Sequence, residues 1–278
     1  MGLLALTRGK APKVSQTKKL AEKIKFKPAQ TVDEAVAFGK NNLGIKNYEG
    51  FAAADKDVLN WANEACVNVK NVTKGKVQPF DSIVYTDMPD NVLAAAFNDC
   101  NTQLGRVLGI NKNAKQLLDK VLQSANITGV NVSSEAAQNI VKNLSKYRQA
   151  PKSFTFGDKF QLYEDLKCLI HSNGTQVGNK FSSLYHEVGH FEHQLAVGNR
   201  YLEMGKPQEC IRQFGKVSEA TTEFLNNPQT RNIAGTVSEY ATESPLEFVA
   251  ETYSKLIQGQ KLPEDVMALY RKYGGPII

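Results

Sequence analysis

Apolar positions recur at helical spacing over most of the chain. This periodicity, together with capping residues, predicts helices over 31–39, 57–69, 91–108, 115–124, 133–148, 184–198 and 245–259. Shorter apolar or β-branched runs predict strands within 79–85, 153–156 and 166–172, and the last run is followed by an Asn173-Gly174 turn. The pattern therefore predicts an α+β fold that is mostly helical and has a small twisted sheet.

The composition and the apolar pattern of the sequence change along the chain, which predicts three parts. Residues 1–27 form a lysine-rich arm, residues 28–150 form a helical part without a chemical motif, and residues 151–278 contain the strands and the histidine-rich segment. The length is sufficient to bury a sizeable core.

Charge is distributed unevenly between these parts. The whole chain has a net charge of +6, but the first 27 residues contain eight basic residues and one acidic residue, a net charge of +7. The remaining residues therefore sum to −1. We expect the arm to dock on an acidic partner, such as a virion protein or a nucleic acid. The alternative is a solvated tail.

The four cysteines and the apolar runs indicate where the protein acts. Cys66, Cys100, Cys168 and Cys210 include no C-x-x-C pair, so we interpret them as free thiols in a reducing compartment. The short apolar run at 3–6 precedes its basic residues, which is the wrong order for a Sec signal. No run approaches the length of a transmembrane helix, so we expect no membrane span.

Three of the four histidines fall within the segment SSLYHEVGHFEHQL, whose centre is an H-E-x-x-H motif. His186 and His190 are four residues apart and therefore lie on one helix face, one turn from each other. Two imidazoles at this spacing can bind one Zn²⁺ at roughly 2.0–2.1 Å. Glu187 lies beside them, where it can accept the proton of an attacking water. The motif predicts a zinc site; the alternative is a helix with two surface histidines.

The helix that carries the motif has a second signature. Its apolar stripe consists of Leu184, Val188, Phe191 and Leu195, and Gly198-Asn199 supplies a stop. Gly189 is unusual, because a glycine within a helix costs about 1 kcal/mol relative to alanine. We expect a close backbone approach there. His193 is too far along the helix to share the metal and is interpreted as a support for the ligands or a surface residue. His171 is interpreted as a structural histidine on a strand.

A catalytic zinc has three protein ligands and one open position. A third histidine ten residues after the first is excluded, because that position is Ala196. The helix predicted over 245–259 offers carboxylates instead. Glu247 and Glu251 share one of its faces, where like charges repel unless a cation lies between them. We predict that Glu247 is the third ligand and that Glu251 accepts a hydrogen bond from the free ring nitrogen of a ligand histidine.

Two alternatives to this ligand assignment remain open. Ser244 and Glu247 have the spacing of a capping box, which would use the Glu247 carboxylate for the helix backbone. Glu239 and Glu243 lie close in the chain and are fallback ligands.

HEVGH followed by Y-x6-E-x3-E resembles the anthrax lethal factor-like branch of the gluzincin metallopeptidases. The resemblance covers about residues 150–260 and implies a zincin fold with bound Zn²⁺. It also implies that Tyr240, seven residues before Glu247, donates to the substrate oxyanion, and Glu251 falls where that branch has a second carboxylate. The alternative for Tyr240 is a packing role.

A further resemblance rests on SEYA…P-x-E-F-x-A-E at 238–251 together with an upstream T-x-x-E-A helix that is followed by Leu43-Gly44-Ile45. This combination is similar to zincin-like proteins that bacteriophages encode beside head and portal genes. In a zincin fold the sheet packs against the H-E-x-x-H helix, and we expect residues 166–172 to be the edge strand to which an extended peptide adds.

These features together predict a zinc-dependent endopeptidase with Glu187 as general base. It would act in the host cytoplasm or be packaged in a phage virion without Sec export. The alternative is a structural virion or assembly protein whose zincin site is vestigial or used only in assembly. A third possibility is a protease that the arm directs to nucleic-acid-bound targets.

Overall fold

The computed structural model describes residues 23–99, 105–171, 178–196 and 221–278. The architecture is mixed α+β and about 60% helical, as the sequence predicts. The helices are α1 (Val32–Phe38), α2 (Lys56–Val72), α3 (Ala114–Ser124), α4 (Glu135–Gln149), α5 (Phe156–His171), α6 (Ser182–Ala196), α7 (Pro228–Gly235), α8 (Pro245–Ile257) and α9 (Glu264–Lys272), and residues 221–226 are also helical.

The sheet has four strands, which are β1 (Asn47–Glu49), β2 (Ser82–Thr86), β3 (Ala94–Asp99) and β4 (Gly105–Asn111). Their order across the sheet is β1-β2-β4-β3. The first three strands of this order are parallel, whereas β3 runs antiparallel to β4 with Ala96 opposite Leu108. β3 is therefore an edge strand, and helix α6 packs beside it.

Helices with a recognisable cap begin where the sequence predicts. The side chains of Thr31, Ser134 and Ser244 each accept a hydrogen bond from the backbone N–H three residues later, at the starts of α1, α4 and α8. The predicted helices over 57–69 and 115–124 and the strand within 79–85 are also confirmed. The predicted turn at 173–174 and the predicted helix stop at 198–199 lie outside the described residues.

The helix predicted over 91–108 is wrong, because this segment contains β3 and most of β4. The alanine run Ala94-Ala95-Ala96 favours a helix locally, but burial of β4 in the sheet overrides that preference. Gly105 starts β4 at φ 67°, a left-handed conformation that interrupts a helix. Gly109 has no Cβ, and a Cβ there would lie 2.7 Å from the ring of Phe97.

The strands predicted at 153–156 and 166–172 are also wrong, because residues up to 171 belong to a 3₁₀ turn and helix α5. Thr155 and Asp158 form a reciprocal capping pair through side-chain to backbone hydrogen bonds of 3.0 and 3.2 Å. Leu162, Leu166 and Leu169 then bury one helical stripe. The short apolar run at 166–172 is compatible with a strand or a helix. The helical spacing of the buried leucines along the whole of α5 shows that it is part of a helix. The expected edge strand at 166–172 is therefore replaced by β3.

Helix α6 lies between the sheet and helix α8. The main core cluster contains residues from both sides of position 150, including Ile83 of β2, Val188 of α6 and Val249 of α8. A second cluster joins α3, α4 and α5. The division of the chain at residue 150 stays a prediction.

Candidate metal centre

Helix α6 presents the H-E-x-x-H motif from within the core. Leu184, Val188 and Phe191 are buried on its apolar face. Burial of this stripe fixes the rotation of the helix, so that the histidines point along a defined direction toward α8. His186 is only 7% exposed.

Gly189 is the contact point between α6 and α8, as its position within the motif suggested. A Cβ on Gly189 would lie 2.9 Å from the Cα of Ala250 and 3.2 Å from its carbonyl oxygen. Side chains do not approach a backbone so closely, so glycine allows the two helices to touch. Ser254 also donates to the carbonyl of Ser182 at 3.0 Å. The close approach brings the carboxylates of α8 onto the histidine face.

Three predicted ligands converge where the helices meet. Oε2 of Glu247 lies 3.0 Å from Nε2 of His186 and 3.5 Å from Nε2 of His190. One ligand atom from each residue lies within 4.8 Å of the other two. Among the described residues, no other group of three histidine, cysteine or acidic side chains can hold a metal in this way.

The donor set fits a zinc ion. Tetrahedral ligands at about 2.1 Å from one ion are separated by roughly 3.4 Å, which resembles the two Glu247 distances. Glu247 Oε2 is buried and lies within ion-pair distance of both imidazoles, but it makes no well-aligned hydrogen bond with any described residue, which suits an atom that binds a metal. The capping alternative for Glu247 accounts only for its backbone, because Ser244 accepts from the Glu247 N–H at 3.2 Å. Its carboxylate faces the histidines.

Glu251 holds His186 from the other side of the ring. Nδ1 of His186 donates to Oε1 of Glu251 at 2.7 Å, the partner predicted from the sequence. Burial lowers the pKa of His186, but Glu247 and Glu251 outweigh it and raise the pKa to about 10. Burial likewise opposes ionisation of Glu247, yet the histidines lower its pKa to about 2. Without a metal, this centre therefore retains a proton on His186 that a metal must displace.

The edge strand β3 contacts the predicted base directly. The backbone N–H of Ala96 donates to Oε2 of Glu187 at 2.7 Å. Burial raises the pKa of Glu187 above its ordinary range. A carboxylate with a raised pKa is a better proton acceptor at neutral pH. Sequence reasoning missed this contact, because a backbone N–H has no residue-type signature.

The free side of β3 can be deduced from its hydrogen bonds. The N–H of Asn111 donates to the carbonyl of Leu93, so Leu93 and the odd-numbered residues after it face β4. Ala94 and Ala96 therefore turn their backbone groups away from the sheet. The N–H of Ala96 is used by Glu187, and within the described ranges no hydrogen bond occupies the carbonyl of Ala96 or either backbone polar group of Ala94.

Tyr240 lies beside the cluster on the 3₁₀ turn Tyr240–Thr242. Its ring centroid is 5.7 Å from that of His186, and the side chain is 47% exposed. Partial burial and then the charge of Glu247 raise its pKa to about 12. The hydroxyl therefore keeps its proton at neutral pH and can donate it in a hydrogen bond.

The remaining candidates lie outside the cluster. Glu239 and Glu243 are exposed and contribute no ligand atom. His193 is 1% exposed, so its interpretation as a surface residue is wrong. Its Nε2 donates to the carbonyl of Tyr273 at 2.7 Å, and burial lowers its pKa to about 4. His171 ends helix α5 rather than a strand, and its side chain lies outside the description.

Comparisons with protein-family models, with curated proteins and with solved structures gave no significant match. Within the described part of the chain, no helix has the length and apolar character needed to cross a bilayer.

Proposed function

We propose that this protein is a zinc-dependent endopeptidase of gluzincin type. The observation that carries the proposal is the convergence of His186, His190 and Glu247 on one point, with a buried carboxylate oxygen that lacks a hydrogen bond. These three residues would hold the ion. When bound, Zn²⁺ supplies a Lewis acid that polarises the scissile carbonyl and lowers the pKa of a water molecule.

Glu187 acts as the general base in this proposal. Its neighbour His186 is a ligand, its burial raises its pKa, and the Ala96 N–H fixes one carboxylate oxygen. The other oxygen is then oriented to accept the proton of the attacking water and to pass it to the leaving amine. Glu251 fixes the ring orientation of His186, because it accepts the Nδ1 proton and leaves Nε2 for the ion.

The substrate backbone binds along β3. Ala94 offers both backbone groups and Ala96 offers its carbonyl, which suits an extended peptide that adds as a further strand. The base is tied to the same strand, so a peptide in this position has its carbonyl beside Glu187. Tyr240 donates its hydroxyl proton to the developing oxyanion, as the resemblance to the lethal factor-like branch implies.

The specific zincin fold and the relation to phage zincin-like proteins are part of this proposal, as is a location in the host cytoplasm or in a phage virion. The sequence alternative, a structural virion protein with a vestigial site, has no need of the Glu251 and Ala96 contacts. A vestigial site would leave the protein without cleavage activity even if it binds metal.

Metal content and cleavage of denatured protein substrates test the proposal. We expect the purified protein to contain about one zinc per chain, and His186→Ala to lose it. Glu187→Gln should retain the zinc and lose activity by about 10²–10⁴-fold. Glu243→Gln, a nearby exposed carboxylate, is the matched control and should behave as the wild type. Zinc-free wild-type protein, or unchanged cleavage by Glu187→Gln, would contradict the proposal.

A further inference from the structure

Two asparagines of α2 clamp the segment that precedes α1. Asn71 accepts from the N–H of Ile24 at 2.8 Å and donates to its carbonyl at 2.9 Å. Asn60 makes the same pair of hydrogen bonds with Ala29, at 2.9 and 3.0 Å. Each asparagine side chain thus hydrogen-bonds to the backbone N–H and carbonyl of one residue, whatever the side chain of that residue.

The spacing of the clamps requires an extended segment. Asn60 and Asn71 are eleven residues apart on a helix, a rise of about 16.5 Å. Ile24 and Ala29 are five residues apart, which also spans about 16.5 Å when the chain is fully extended. The segment therefore runs antiparallel to α2 at nearly full extension.

Extension sorts the side chains into two sets. Ile24 and Phe26 pack against the core, and the Phe26 ring meets that of Phe38 edge-on at 5.7 Å. Lys23, Lys25 and Lys27 alternate with them and are exposed. These three side chains, which we call the lysine ladder, form no ion pair with any residue of the described ranges.

We infer that the lysine ladder binds the phosphate backbone of a nucleic acid, independently of its base sequence. The lysines repeat about every 6.6 Å over about 13 Å, a length in which duplex DNA carries roughly eight phosphates. Lysine binds phosphate oxygens as a compact point charge without a fixed geometry, which suits contacts that follow the phosphates and do not read the bases. The preceding 22 residues add Arg8, Lys10, Lys13, Lys18 and Lys19 to the same end of the chain.

The inference is tested by fluorescence anisotropy with a labelled DNA duplex of about 30 base pairs and arbitrary sequence, over roughly 50 to 200 mM salt. The full-length wild type is compared with the triple variant Lys23→Gln, Lys25→Gln, Lys27→Gln. We expect at least about tenfold weaker binding at low salt and a salt-dependence slope lower in magnitude by about 2–3. The matched control replaces Lys120, Lys142 and Lys152, which are exposed lysines on or near α3 and α4.

The double variant Asn60→Ala, Asn71→Ala keeps every charge but releases the segment. It should bind DNA several-fold more weakly, because the ladder must then be ordered on binding. Equal losses in the two lysine triples, no binding of the duplex by the wild type, or tighter binding of a glutamate-rich peptide than of DNA would each overturn the inference. None of these outcomes depends on zinc or on peptidase activity.

Discussion

The α6–α8 pair and the edge strand β3 contribute to the same site by different means. The helices contribute side chains at fixed spacings, whereas β3 contributes the N–H of Ala96 and backbone groups that have no hydrogen-bond partner among the described residues. A change of residue type alters the first contribution directly. It leaves the second almost untouched unless the backbone itself is changed. Side chains that form a functional site can therefore be predicted from the sequence, whereas backbone groups that contribute to it can be identified only once the fold is known.

Outside helices α6 and α8, the largest expected effect concerns Tyr240, which lies on the 3₁₀ turn before α8. Tyr240→Phe removes only a hydroxyl, and the ring can keep its place beside His186. If the hydroxyl donates to the oxyanion, kcat should fall by about 10²–10³-fold with little change in KM or zinc content. Steady-state kinetics on a quenched-fluorescence peptide measures this. A packing role predicts instead a lower melting temperature and an almost unchanged kcat.

The next largest effect concerns Glu251, which orients the predicted ligand His186 but does not itself bind the metal. Glu251→Gln keeps a hydrogen-bond acceptor for His186 but removes the charge 2.7 Å from Nδ1. Zinc affinity should fall by about 10–100-fold, measured by competition with a chromophoric chelator. Glu239→Gln is the control, since this exposed carboxylate is outside the cluster. Equal affinities for the two variants would remove Glu251 from the site.

The chemistry-bearing side chains were predictable because helix periodicity converts sequence spacing into geometry. His186 and His190 lie one turn apart, and the Glu247 and Glu251 positions repeat that interval on α8. Gly189 also indicated the contact between α6 and α8. Glycine is unfavourable within a helix, so its presence there suggests that a close backbone approach requires it.

The sheet was not predictable in the same way. Ala94-Ala95-Ala96 favours a helix, and only pairing with β4 makes it a strand. Leu166 and its neighbours looked like a strand within a short window, although a capping pair at Thr155 and Asp158 was present upstream. The error at 91–108 arises because strand pairing depends on residues distant in the sequence. The error at 166–172 arises because a short apolar run fits the spacing of a strand and of a helix equally well.

A proline scan tests the backbone contribution of β3. Ala96→Pro removes the N–H that donates to Glu187, at a position where the edge strand faces away from β4 and tolerates proline. We expect kcat to fall by about 10- to 100-fold, since a hydrogen bond to a charged group contributes about 1.5–3 kcal/mol. Ala94→Pro is the matched control, because it removes an outward N–H that does not contact the base. It should raise KM and spare kcat; the same kinetic change in both variants would argue against a distinct role for Ala96.

The smallest expected effect distinguishes two histidines of α6 that the sequence places seven residues apart. Burial lowers the pKa of His193 to about 4, below the ordinary value of 6.5, so the unfolded chain binds its proton first as pH falls. This group therefore costs stability progressively below about pH 6.5, by roughly 1.4 kcal/mol at pH 5.5. His193→Gln can still donate to the Tyr273 carbonyl but does not titrate. Urea unfolding at pH 7.5 and pH 5.5 should show a smaller loss for the variant than for the wild type. Identical losses would mean that His193 has its ordinary pKa in the folded protein, which would contradict the expected effect of its burial.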